Sequence, residues 1–164
     1  MEQFTKDITD FFTNRVLMCA VLAWFIAQFL KLFTAFKYPE KTSLIRFLVG
    51  SGGMPSSHSA VVTATCFSVG ILHGFNSSLF AIAAVLAIVV MRDAAGVRRE
   101  SGKQAAVINH MSRELSKEKK NIMEVTLSEL LGHTPLQVLF GALLGVLLAF
   151  CCQCWLFPLW FPAV

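Results

Sequence analysis

The stretch Val16–Phe36 reads VLMCAVLAWFIAQFLKLFTAF and holds a single charge, Lys31. At 1.5 Å of rise per residue a helix of this length crosses about 30 Å of hydrocarbon. Trp24, Gln28 and Lys31 fall at i, i+4 and i+7, so they share one helical face. Polar groups at that depth face protein or water rather than lipid. A membrane span with a polar stripe near one end is therefore expected, and it sets the terms for the rest of the chain.

Composition agrees. Of 164 residues, 55% are hydrophobic and only 15% charged, which excludes an ordinary soluble domain and a nucleic-acid-binding one. The fold class is all-α, an integral membrane bundle of about four transmembrane helices in one domain. Spans are expected at 16–36, 55–73, 78–97 and 136–157, with a basic connection at 98–131. Pro55 is placed at the first position of the second helix, where its missing N–H costs nothing. Ahead of the spans, Phe4, Ile8, Phe11 and Phe12 line one face of a short N-terminal interfacial helix. This segment carries acids as well as bases, and the following apolar run is too long for a cleavable signal. Gly70 with Gly74 and Gly141 with Gly145 have the GxxxG spacing of close membrane helix contacts. The five cysteines all lie in apolar runs and read as small apolar filler.

Four spans bring the first and third connections to one side. Those connections hold most of the basic residues, which directs that side to the cytoplasm. A bacterial cell membrane is the expected location.

Every polar motif falls on that same side. SGGMPSSHSA, Ser51–Ala60, opens the second span. A helix start offers unpaired N–H groups and a positive dipole end, which favour an anion. Gly52 and Gly53 allow close backbone approach, Ser56 and Ser57 can cap the helix or bind phosphate oxygens, and His58 lies in the first turn. GHTP repeats the design at the fourth span with His133. Of two such histidines, one can attack phosphorus and the other protonate the leaving oxygen. Arg92, Gly96, Arg99 and Lys103 form a helical stripe with Arg98 alongside, and the arginine fork suits phosphate. GVRRESGKQ resembles a nucleotide-binding loop but has the wrong glycine spacing and ends in Gln104, so that chemistry is set aside.

SGGMPSSHSA, DAAGVRRESGKQA and ELLGHTPLQVLFGALLG together resemble the divergent branch of the type-2 phosphatidic acid phosphatase family, which is related to acid phosphatases and vanadium haloperoxidases. That superfamily is helical and uses K-x6-RP, PSGH and SR-x5-H-x3-D motifs. The resemblance implies that PSSH supplies His58 as general acid. It implies that GHTPLQ supplies His133 as the nucleophile, and that KLFTAFKYP supplies Lys31. The departures are specific. Tyr38 replaces the first motif's arginine, and Thr126 and Leu127 replace the Ser-Arg pair. Gln137 replaces the carboxylate that orients the nucleophile. Glu129 is a candidate substitute for that carboxylate, and Arg98 or Arg99 for the missing arginine.

The expected function is an integral membrane phosphatase that hydrolyses a lipid phosphate or diphosphate through a phosphohistidine. His133 and His58 are the catalytic pair. Lys31, Ser56, Ser57, Arg98, Arg99 and Lys103 bind phosphate, supported by Gly52, Gly53, Asp93, Glu129 and Gln137. No cofactor and no metal are called for. The partners are membrane lipids, the phosphorylated lipid substrate and a second copy in a homodimer, and not nucleic acid. The alternative is a non-catalytic membrane protein that binds phosphorylated headgroups or a partner protein. A transporter is a third reading, but no pair of broken helices in corresponding halves supports it.

Overall fold

The computed structural model describes residues 1–36, 53–118 and 132–160. All regular structure among the described residues is helical. Helix α1 spans Glu2–Phe12 and α2 spans Arg15–Phe36. Helices α3 (Ser57–His73) and α4 (Ser78–Arg92) follow. A π-helical turn, Asp93–Val97, leads from α4 into α5 (Arg98–Glu118). Helix α6 spans Pro135–Cys151, and a second π turn, Cys152–Leu156, joins it to the short α7 (Phe157–Trp160).

Three segments are long and apolar enough to cross a membrane: Arg15–Phe33, Ser78–Glu114 and Pro135–Leu159. The fourth expected span is α3, whose 17 residues make it the shortest of the group. It is also the central one, packed against α2, α4 and α6. It starts at Ser57 rather than at Pro55, because Ser56 takes the N-cap. Pro55 is therefore not the first helical residue. Pro135 does hold that position in α6.

Lipid tails are as apolar as leucine, so membrane helices associate through close packing and interhelical hydrogen bonds. The buried face of α3 follows that rule with Ser57, Ser59, Ala60, Thr63, Ala64, Cys66, Ser68 and Gly70. Against it lie Gly141 and Gly145 of α6, both buried. A Cβ on Gly141 would strike the Ser56 carbonyl, and one on Gly145 would strike the Ala60 carbonyl and Thr63 Oγ1. Thr63 Oγ1 donates to Ser59 O at 2.7 Å and also lies 3.1 Å from Ala142 O across the seam. The Gly70–Gly74 pair works differently. Gly70 makes room for the Phe75 and Phe80 rings, and Gly74 ends α3 at φ +88°, so only one of the two is inside a helix.

Large side chains point outward. Ile82, Val85, Leu86 and Val89 on α4, and Leu139, Leu143 and Leu147 on α6, are all more than half exposed, as a lipid-facing surface requires. The core holds Cys19, Ala23, Ala64, Ala149, Cys152 and Phe157. Cys19, Cys66 and Cys152 are buried, whereas Cys151 and Cys154 face outward. On α1, Phe4, Ile8, Phe11 and Phe12 all remain exposed, in keeping with an interfacial helix.

The α3–α6 seam predicts a contrast. Gly145→Leu should destabilise the detergent-solubilised protein by about 3 kcal/mol through overpacking, whereas Val85→Leu on the lipid face should be neutral. Thermal unfolding of both variants beside the wild type checks this, and equal melting temperatures for Gly145→Leu and wild type would contradict it.

Candidate functional site

The four helix ends that carry the polar motifs meet. At the start of α3, Gly53 takes the left-handed conformation at φ +80° that glycine adopts without strain. Ser56 is fully buried, and its Oγ accepts from the Ser59 N–H at 3.4 Å and lies 3.1 Å from Ser59 Oγ. Its oxygen thus caps the helix. Ser57 has a different partner. Lys31 Nζ of α2 donates to Ser57 Oγ at 3.1 Å, with both side chains buried. The Lys31 stem passes beside Gly53, where a Cβ would sit 3.7 Å from Cγ. Ser57 and Gly53 therefore fix a lysine that is only 1% exposed.

Two backbone bonds hold the α6 start in place. Ser56 N–H donates to Gln137 O at 3.0 Å, and His133 N–H donates to Ala94 O, inside the first π turn, at 3.1 Å. The second bond anchors His133 to the end of α4. Thr134 is the N-cap of α6, and its Oγ1 accepts from the Gln137 N–H at 3.3 Å. Gln137 closes the capping box by accepting the Thr134 N–H through Oε1 at 3.0 Å.

That same Oε1 lies 3.3 Å from His133 Nδ1. The Thr134 N–H identifies the amide atom as oxygen, and an oxygen acceptor calls for a proton on Nδ1. The lone pair then resides on Nε2. Gln137 thus stands where a neutral acceptor can set the His133 tautomer, as a carboxylate does elsewhere. His133 is 1% exposed, His58 is exposed, and their ring centroids stand 6.1 Å apart with planes at 62°.

The site so assembled contains Lys31, Ser57, His58, His133 and Gln137, with Gly53 and Ser56 shaping it. Asp93 opens the π turn, next to the Ala94 that holds His133. Arg98 and Arg99 are the first two residues of α5. Lys103 is exposed and pairs with Glu100 at 2.7 Å. Gly52 and Glu129 lie outside the described residues. The helical stripe expected from Arg92 to Lys103 is broken, because a π turn takes up more residues than an α turn and shifts the register between them. Sequence reasoning also missed the Ala94 carbonyl, for which no sequence signal exists. It missed the capping box as well, although the T-x-x-Q pattern of Thr134 and Gln137 announces one.

Fold and site define a class: an integral membrane helical protein with a polar site built from helix ends at one membrane face. The sequence matches the pattern of the Divergent PAP2 family across residues 12–148, and the chain belongs to that family. It is similar to an uncharacterized membrane protein, YuiD, of Bacillus subtilis (strain 168). The two are 40% identical over 149 residues, covering 85% of this chain and 94% of that protein. No solved structure matches the chain.

The tautomer assignment is measurable. Nitrogen-15 spectra of histidine-labelled protein should show His133 protonated on Nδ1, and Gln137→Ala should move population toward the Nε2–H form. Because the capping box is lost with it, Gln137→Ala should also cost about 1 kcal/mol. An unchanged tautomer in the variant would remove Gln137 from this role.

Proposed function

We propose that the protein is a membrane phosphatase that hydrolyses a lipid phosphate or diphosphate through a phosphohistidine. The observation that carries the reading is the His58–His133 pair, 6.1 Å apart at two clamped helix starts beside the buried Lys31–Ser57 bond. Membership of a family named for phosphatidic acid phosphatases supports it.

In the proposed reaction His133 Nε2 attacks phosphorus in line. The P–N bond forms as the bond from phosphorus to the lipid oxygen breaks. Protonated His58 delivers its proton to that oxygen. Lys31, Ser57 Oγ, the N–H groups of the first α3 turn, and Arg98 and Arg99 hold the equatorial oxygens, where charge must be stabilised. Neutral His58 then takes a proton from water, whose oxygen attacks the phosphohistidine and releases inorganic phosphate. Ser56, whose Oγ caps α3, and Lys103, paired with Glu100, are given no role in this reaction. The cytoplasm is the side assigned to this face, from the basic residues of the connections.

One observation favours a second reading, non-catalytic binding of phosphorylated headgroups. Gln137 is an amide, and an amide stabilises the imidazolium formed on attack less than a carboxylate does. Purified protein offered a panel of isoprenyl and glycerolipid phosphates separates the two. The enzyme should release phosphate, with His133→Ala slower by about a thousandfold and His58→Ala by about a hundredfold. Acid-labile, base-stable label from a radioactive substrate should accumulate on the wild type and not on His133→Ala. Headgroup binding without release from any substrate would establish the binding reading instead. For orientation, a cysteine at Lys103 in a background without native cysteines should resist an impermeant thiol reagent in intact cells, and ready labelling would reverse the assignment.

A further inference from the structure

Two sizeable cavities lie at the other end of the bundle from the histidines. Helix α3 rises about 24 Å from Ser57 to His73, so its last turn belongs to the opposite membrane face. There, a cavity of about 680 Å³ opens between the start of α2 and the end of α3. Leu17, Ala20 and Val69 line it together with the polar Thr13, Asn14 and Thr65, and Arg15 and His73 lie on it as well. Arg15 is half-buried and His73 is exposed. A second cavity of about 510 Å³ shares Phe11 and Leu17 with the first and continues along Val21, Phe25 and Phe157. One space thus includes the Arg15 guanidinium, and its neighbour is apolar.

We infer that these two cavities form a binding site for one membrane phospholipid of the leaflet opposite the histidines. Its phosphodiester lies against Arg15 and His73, and a fatty acyl chain lies in the apolar groove. Three features select this ligand. The guanidinium fork matches a phosphodiester, and the imidazole adds a donor from a different helix. Arg15 is the first residue of α2, at the headgroup level where a membrane span begins. The adjacent groove takes hydrocarbon, which a soluble anion lacks. Phe11 of α1 lines both cavities, so the bound lipid also sets how the N-terminal helix seats on the bundle. The site is separate from the histidine pair and does not rest on the phosphatase reading.

The test uses the full chain in a maltoside detergent, titrated with dioleoyl phosphatidylglycerol or with dioleoylglycerol, which has the same chains and no phosphate. Native mass spectrometry and thermal unfolding are the readouts. Phosphatidylglycerol should bind one to one and raise the melting temperature, and dioleoylglycerol should do neither. Arg15→Gln should weaken binding about tenfold by removing a charge-assisted contact. Ala20→Leu keeps Arg15 and His73, fills the cavity, and should weaken binding as well. His133→Ala should bind as the wild type does. Equal binding of the two lipids, wild-type affinity in both cavity variants, or loss of binding in His133→Ala would each overturn the assignment.

Discussion

One backbone hydrogen bond, from the Ser56 N–H to the Gln137 carbonyl at 3.0 Å, ties the starts of the two central helices together. The geometry of the histidine pair depends on it. Along α3, His58 follows Ser56 by two residues. Along α6, His133 precedes Gln137 by four. Once the two helix starts are clamped, the first turn of α3 places His58, the bond to the Ala94 carbonyl places His133 ahead of the α6 cap, and the rings stand 6.1 Å apart. The bond forms only because Gly141 and Gly145 let α6 lie against the α3 backbone, where any Cβ would meet the Ser56 or Ala60 carbonyl. The GxxxG pattern is thus as necessary to the site as the histidines are. In a membrane, where apolar burial between helices contributes little, this contact cannot be replaced by larger apolar side chains.

Much of this architecture was legible in the sequence because its signals are local. The apolar run with Lys31, the Ser-Ser-His and Gly-His-Thr-Pro helix starts, and the small-residue spacing each declare themselves within a few residues. In the structure Lys31 bonds Ser57, and His133 lies between His58 and Gln137. What stayed hidden depends on contacts between distant residues. Adjacent serines look interchangeable in sequence, yet Ser56 turns into the helix as its cap and Ser57 turns to Lys31. The π turn at Asp93–Val97 has no composition of its own, and it both moves Lys103 off the Arg92 stripe and presents the Ala94 carbonyl to His133. Helical periodicity cannot anticipate a change of pitch inside a continuous helix.

Gln137 sharpens the chemical question. In sequence it stands only as the absence of a carboxylate, whereas in the structure it is the third residue of a capping box with its oxygen on His133 Nδ1. Orientation and tautomer are therefore retained without the negative charge. Removing one negative charge from a buried site that also contains Lys31 has two electrostatic consequences of opposite sign. The site becomes more favourable for an anionic phosphoryl group before reaction, because less of the lysine's field is cancelled. In the proposed reaction it becomes less favourable for the imidazolium that attack by His133 would create, because the Gln137 amide carries no counter-charge. The first change favours the phosphoryl group in ground and transition state alike, and the second raises the transition state alone. By the logic of differential binding they shift a phosphatase framework toward tight holding and slow turnover. In the proposed reaction more then depends on what stabilises the phosphoryl oxygens, so Lys31 and its Ser57 anchor would carry more of the burden than beside an aspartate.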